Sequence, residues 1–453
     1  MAVFDRSAAE DQELPGPTPV EEGQGRAAAA PAWGPVKRIL FRFTFSYLFL
    51  YLTGTGTFLG LLGFIPYGGY VVGWYFQLWG VLVPWVGRHL FQVAATRHPT
   101  GSGDTMFAWV EIFCYLALSG LVALVWTVVD RKRESYPRLY EWLRVYVRLG
   151  LGMTMLSYGA FKVIPSQFYQ PSLDRLLQSF GSSSPMGLLW TFMGASAPYT
   201  IFSGLAEFAG GALLLFRRTM RLGAFVTLAA MTNVVMLNFC YDVPVKQYSS
   251  HLLAMAIFLA APDLRRLADL LVFHRAVPAI VDPPLFRRRW LRYTALALET
   301  ALLLGYAPYL LYGSYQQYQA FHDVAGKPLH GIWSVDELAV DGQVRPPAAT
   351  DDTRWRYVVF DYSDLFSAVL MNGSRQRYVA EMDTGKKTIA LTKRDDPAWK
   401  AGLNYQKPAP GRLTLAGTFD GKQVRASLHK IDTPRFQLYT RGFHWVSEYP
   451  FQR

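Results

Sequence analysis

The chain has 453 residues, of which 51% are hydrophobic, 15% aromatic and only 17% charged, and its formal net charge is +12. Soluble domains carry about a quarter charged residues, so this composition excludes an ordinary water-soluble enzyme, a disordered chain and a collagen. The cysteines, Cys114 and Cys240, lie in no CxxC pair, which leaves no zinc cage and no disulfide framework.

Residues 1–36 read as a disordered tail, since Ala8–Ala32 is rich in Glu, Gly, Pro and Ala and shows no signal-peptide pattern. Residues 37–315 read as a transmembrane helical domain. A bilayer core about 30 Å thick needs about 20 mostly apolar residues per helix. Seven stretches meet or approach that length: Leu40–Ile65, Thr105–Val129, Tyr146–Ile164, Ala197–Phe216, Gly223–Tyr241, Ser249–Ala261 and Tyr293–Leu311.

Basic residues set the direction. Lys37 and Arg38 precede the first span, Arg131, Lys132, Arg133, Arg138 and Arg144 follow the second, and Arg217, Arg218 and Arg221 follow the fourth. After the sixth come Arg265, Arg266, Arg275, Arg287, Arg288, Arg289 and Arg292, whereas the intervening connections hold little base. The positive-inside rule then places the N-terminus in the cytoplasm and everything after Leu311 outside. This placement accounts for the excess charge without a nucleic-acid partner; the bilayer itself is the expected partner. Tyr70–Gly87 is also apolar enough to cross, but a crossing there would turn Arg131–Arg133 outward. It is expected to be an interfacial or re-entrant helix on the outer side, broken at Pro84, with Trp74, Trp79 and Trp85 at headgroup level.

Residues 316–453 change character. Short alternating runs suggest strands at Ile332–Val340, Trp355–Tyr362, Ala368–Met371, Arg377–Met382, Thr388–Lys393, Leu413–Thr418, Val424–His429 and Phe436–Thr440. Asp341-Gly342, Asn372-Gly373 and Asp420-Gly421 are hairpin-turn dipeptides. The Gly331-Ile332-Trp333 opening resembles the Gly-x-Trp start of lipocalin-like barrels, which implies an Arg from the last strand over Trp333, with Arg441 or Arg453 in that role. The predicted fold is therefore an α-helical transmembrane bundle followed by an extracytoplasmic all-β domain, either a lipocalin-like barrel or a small sandwich. At the end of the chain, Trp445, Tyr449 and Phe451 are expected to anchor the tail on that domain.

Ionisable groups at membrane depth are costly and mark candidate sites. Lys162 lies four residues after Tyr158, so both share a helical face. Glu207 sits in a run of small and apolar residues between Gly204 and Gly211, with no route by which its carboxyl can reach water; it is expected to pair with Lys162 or to stay protonated. Asn238, Tyr241, Asp242, Lys246 and His251 follow at the outer level. Together these groups suggest one outward-facing polar pocket. The bland alternatives are that Lys162 snorkels, that Asp242 pairs with Lys246 one turn away, and that Asn233 and Asn238 join helices. Arg148 is expected at the cytoplasmic lip, and Cys114 and Cys240 as buried thiols.

Tyr158-Gly159-x-x-Lys162, the Glu207 helix with its Gly-Gly-Ala-Leu-Leu-Leu run, Arg217-Arg218 and Asn238-x-x-Tyr241-Asp242-Val243-Pro244-Val245-Lys246 together resemble the DoxX-type membrane family, over residues 146–275. That resemblance implies a bacterial inner-membrane protein linked to quinone-coupled redox chemistry. Under it, Lys162, Glu207, Asp242 and His251 would bind carbonyl oxygens and handle protons, and Tyr158, Asn238, Tyr241 and Lys246 would line a quinone site. No haem or iron–sulfur ligation pattern is present, so electrons would come from a partner protein, and a quinone is the only cofactor implied. A transport component and an envelope scaffold whose β domain docks a partner remain the alternatives.

Overall fold

The computed structural model describes residues 32–451, apart from residues 64, 99, 280–283, 324–327, 362–363, 394, 397 and 433–435. Most of the expected N-terminal tail and Arg453 lie outside the described residues. The helical part runs α1 (Pro35–Gly54), α2 (Thr57–Leu62), α3 (Gly68–Val86), α4 (Met106–Val129), α5 (Pro137–Val163), α6 (Leu173–Leu176), α7 (Pro185–Ala195), α8 (Ala197–Leu215), α9 (Met220–Cys240), α10 (Lys246–Leu271) and α11 (Arg289–His322). Of these, α4, α8, α9 and α11 are long and apolar enough to cross a membrane, which marks the chain as a membrane protein.

Contacts between helix ends establish their directions. Near the start of α1, buried Arg42 donates to Thr127 Oγ1 (2.9 Å), the Asp130 carbonyl (3.0 Å) and the Tyr136 hydroxyl (2.7 Å), all at or beyond the end of α4. At the other end of α1, Gly54 packs against Tyr115 in the first half of α4. The two helices are antiparallel, so the α2–α3 segment starts and finishes at the same end of the bundle. Asp104, just before α4, accepts from the backbone of Lys246 (2.8 Å) and Gln247 (3.1 Å), which brings the start of α10 to that end too.

The tightest helix pair is α5 with α8. A Cβ on Gly159 would lie 2.5 Å from the Phe208 backbone nitrogen, and one on Gly204 would lie 2.6 Å from Lys162 Cβ. Gly152 and Gly211 face each other one step further along the pair. Small residues at these positions let the backbones meet, the usual way of joining helices where lipid supplies no hydrophobic drive.

Several sequence expectations are corrected. The first apolar stretch does not run unbroken to Ile65: α1 ends at Gly54, and Gly56 takes a left-handed turn (φ +77°) before α2. α3 is not broken at Pro84 but continues through it to Val86, ending in a π-helical turn at Gly87–Phe91. The short sixth stretch is one 26-residue helix passing through Pro262. α11 has 34 residues, passes the expected domain boundary at residue 316, and is about 51 Å long at 1.5 Å per residue. α7 had no counterpart in the sequence reading.

The C-terminal part is a barrel. Its strands are β1 (Gly331–Val340), β2 (Gln343–Val344), β3 (Trp355–Phe360), β4 (Leu365–Leu370), β5 (Arg375–Asp383), β6 (Thr388–Thr392), β7 (Lys400–Gln406), β8 (Arg412–Phe419) and β9 (Lys422–Ile431). All neighbours pair antiparallel, and β1 closes on β9 from Ile332↔Ile431 to Val340↔Val424, so eight strands make the barrel with β2 as a short flap on β1. Closure excludes the sandwich alternative and removes free edges. Asp341-Gly342 and Asp420-Gly421 form the two-residue turns with positive φ at both positions, as expected for such hairpins. β7 escaped the sequence reading because Gly402 and Asn404 dilute its alternation of Ala401, Leu403 and Tyr405. Phe436–Thr440 is no strand: Gln437–Thr440 is a helical turn, α12.

Trp333 donates its indole N–H to the Leu329 carbonyl (2.8 Å), and the cation over its ring is Lys430 on β9, at 5.9 Å, rather than Arg441, which covers Phe451 at 3.9 Å. Trp355, Phe366, Tyr378 and Phe419 fill the barrel core with edge-to-face contacts, such as Trp355–Phe419 at 5.0 Å between ring centroids. Trp445 and Tyr449 are exposed and do not anchor the tail on this core.

Asp174 in α6 joins the two parts. It is 2% exposed and accepts from Ser367 Oγ (2.6 Å), Arg377 Nη2 (2.6 Å) and Arg375 Nη1 (3.3 Å), while its own N–H donates to Asp361 (3.3 Å). Burial pulls the Arg375 guanidinium down and the carboxylate of Asp174 opposes that pull. Leu173 sits in an apolar cluster with Ile332 and Val359 on the barrel, and the Tyr439 hydroxyl donates to the Pro171 carbonyl. Burial pushes Tyr439 up to about 12, so it stays a neutral donor at physiological pH. Asp174→Ala, which leaves Arg375 and Arg377 facing one another, is expected to cost about 3 kcal/mol. Limited proteolysis should then cut the 165–196 connection faster than in the wild type.

Candidate functional site

The centre of the site follows from the α5–α8 approach. Gly204 lets the start of α8 lie on Lys162, and one turn later Glu207 meets it: Lys162 Nζ donates to Glu207 Oε1 at 2.5 Å, with the two residues 5% and 2% exposed. Tyr158 lies beneath, its ring 5.8 Å from the ammonium. The sequence offered pairing or protonation for Glu207, and pairing is what the geometry gives.

The pair borders a cavity of about 120 Å³ between α5, α7, α8, α9 and α10. Its polar lining includes Tyr158, Lys162, Gln167, Glu207, Asn233 and Asn238, and its apolar lining includes Trp190, Met193 and Leu237. Three of the polar atoms are buried with no hydrogen-bond partner among the described residues: Glu207 Oε2, Gln167 Oε1 and Asn238 Nδ2. Buried polar groups are nearly always satisfied, so these three residues give the cavity an unmet demand of one donor and two acceptors. Asn233 lines the same cavity yet is exposed on the outside of α9, which places an opening on the flank of the bundle.

A second, wide cavity of about 830 Å³ lies between the 169–191 connection and the barrel, next to Arg175, Arg377 and Asp364. Trp190 lines both spaces.

Four of the eight residues read from the sequence converge here: Tyr158, Lys162, Glu207 and Asn238. The other four do not. Asp242 is exposed in a left-handed turn (φ +51°) and holds Lys246 Nζ at 2.7 Å outside the cavity. Lys246 also reaches Asp104 at 3.9 Å, and Tyr241 packs on the Phe168–Val243 cluster. His251 belongs to a separate aromatic group with α1: it stacks on Tyr51 at 4.0 Å and shares a 2.6 Å hydrogen bond with Tyr47. Its Nδ1–H donates to the Gln247 carbonyl (2.6 Å), so a neutral ring accepts the Tyr47 proton at Nε2. Level along a helix, which is what the sequence offers, does not tell which way a side chain turns.

Arg148 lies at the arginine-rich end of the bundle, where it is buried, caps the Leu215 carbonyl at the end of α8 (2.7 Å) and pairs with Glu299 of α11. Cys114 is buried, as expected, but Cys240 is exposed. Trp190 and Tyr199 were missed; nothing separates them in sequence from ordinary core and interfacial aromatics.

The fold and site thus define a helical membrane bundle with a dry ion pair beside an internal cavity, capped by a barrel. No family model and no solved structure matches the chain. Over 136 residues, covering 30% of this chain and 80% of the relative, it is 32% identical to the uncharacterized protein YwoB of Bacillus subtilis (strain 168), and it belongs to the same family as that protein.

Removing one member of a dry pair leaves the other charge uncompensated, at a cost of about 3–5 kcal/mol. Lys162→Met and Glu207→Gln should each lower the unfolding temperature in detergent clearly. The double variant Lys162→Met/Glu207→Leu should recover most of the loss, because it removes both charges together.

Proposed function

We propose that this chain is an integral inner-membrane protein of the DoxX type that binds a quinone or a similar lipophilic molecule beside the Lys162–Glu207 pair, in a redox-linked role. The observation that carries the reading is that Glu207, Gln167 and Asn238, all lining one cavity, each leave a buried polar atom (Oε2, Oε1 and Nδ2) without a hydrogen-bond partner among the described residues. A quinol hydroxyl donates to the first two kinds of atom, and a quinone carbonyl accepts from the third. The flank opening at Asn233 suits a ligand that arrives dissolved in lipid and leaves its tail there. Within this reading Lys162 and Glu207 hold and exchange the proton at the ring oxygen, Tyr158 supports the ammonium, and a partner protein exchanges the electrons.

The membrane arrangement proposed has seven crossings, α1, α4, α5, α8, α9, α10 and α11, with the N-terminus cytoplasmic and the barrel outside. The alternating helix directions and the arginine-rich connectors at one end support it. A cysteine-labelling reagent that does not cross membranes should reach a cysteine placed at Ser374 in intact cells, and one placed at Lys132 only after permeabilisation.

Quinone binding is tested with the full chain in detergent, using a short-chain benzoquinone and a naphthoquinone, by quenching of tryptophan fluorescence. Saturable quenching is expected. Glu207→Gln should weaken it about tenfold, the equivalent of one hydrogen bond to a charged group, and Asp242→Asn should leave it unchanged. No saturable quenching by the wild type overturns the reading.

A further inference from the structure

The arginine-rich end of the bundle holds a second built site. Arg144, two turns into α5, has a side chain only 9% exposed. Its Nη1 makes a long contact with Glu141 (3.4 Å) and its Cζ lies 5.8 Å from the Tyr140 ring, while Nε and Nη2 are buried with no hydrogen-bond partner among the described residues. A guanidinium is permanently charged and carries five N–H donors in a planar fork. Leaving two of its nitrogens dry and unpaired is among the costliest arrangements a side chain can take.

Arg144 lines a narrow cleft together with Arg148, Arg217 and Glu141. Arg148 is saturated by Glu299 and the carbonyls of Leu214 and Leu215. The unmet demand is therefore that of Arg144. The cleft holds about 10 Å³, room for one water-sized atom. What fits is a single oxygen of a larger anion whose bulk stays outside. Met220, Val145 and Leu285 form the rest of the wall, an apolar margin beside a cationic slot.

We infer that Arg144 is the centre of a phosphate-oxygen site, serving the headgroup of an anionic phospholipid or free phosphate. The one phosphate oxygen that the cleft admits accepts from both Nε–H and Nη2–H on the same guanidinium edge, while the remaining oxygens stay outside with the bulk of the anion. The location favours the lipid: the site lies between helices at the end that carries the arginine-rich connectors, where headgroup phosphates of an anionic leaflet collect. Binding there would tie the start of α5 to the end of α8, at the opposite end of the same helix pair that holds Lys162 and Glu207.

The test uses the full chain in neutral detergent with phosphatidylcholine, to which phosphatidylglycerol or inorganic phosphate is added at matched ionic strength. Affinity is read from the rise in unfolding temperature and from lipid retained in native mass spectrometry. For a lipid site, phosphatidylglycerol stabilises the wild type. Arg144→Gln should weaken that effect about tenfold, and Arg265→Gln, an exposed arginine at the same end, should change it less than about twofold. Protection by inorganic phosphate that is lost in Arg144→Gln assigns the site to free phosphate instead. Equal stabilisation by both lipids with none by phosphate, or equal losses in the two variants, overturns the site. Should Arg144→Gln not fold, Arg144→Lys serves: it keeps the charge but loses the fork, so severalfold weaker binding is expected and undiminished binding overturns the inference.

Discussion

The architecture of the bundle depends on how closely α5 and α8 approach. Four glycines, Gly152 and Gly159 on one helix and Gly204 and Gly211 on the other, remove the side chains that would hold the backbones apart. That closeness brings Lys162 onto Glu207 and shuts water out of the contact. The relation runs both ways. Without the glycines the charges would be too far apart to compensate their desolvation, and without the charges the first turns of α8 would have only van der Waals contact with α5. The remaining helices are arranged around this pair: α9 lies on Gly210 through Thr227, and α11 is held at Arg148 and Gln317.

Polar contacts at the two ends differ in kind. At the arginine-rich end, Arg42 and Arg148 are spent on backbone carbonyls, capping α4 and α8 where their last carbonyls have no helical partner. At the barrel end, the polar atoms beside the ion pair are left unmet. A protein built only for stability would have closed them with side chains or replaced them with apolar groups, as the barrel core does with Trp355, Phe366 and Phe419.

Much of this was readable in the amino-acid sequence, for physical reasons that also explain the gaps. Apolar length announces membrane helices, and Asp-Gly turns announce hairpins, because both are local constraints. Glu207 stood out because a carboxylate amid Leu, Ala, Phe and Gly has no path to water. Its partner was readable too, one helix earlier. Asp242, Lys246 and His251 were placed with them only because depth is legible from a sequence while rotation about the helix axis is not; Val243, Val245, Tyr248 and Ser249 of the same stretch line the cavity, while Asp242 and Lys246 pair outside it. Asp174 was invisible, since Ser-Leu-Asp-Arg-Leu-Leu reads as a solvated connection. Its burial is created by Ser367, Arg375 and Arg377, roughly two hundred residues later in the chain.

The Asp174 clasp has a mechanical consequence. With the barrel tied to the connection between α5 and α8, the chamber between them has a wall fixed on both sides, and Trp190 has contact with that chamber as well as with the interior cavity of the bundle. Any change in the rotamer of that one indole therefore alters the shape of both spaces together, with the barrel staying where the clasp holds it.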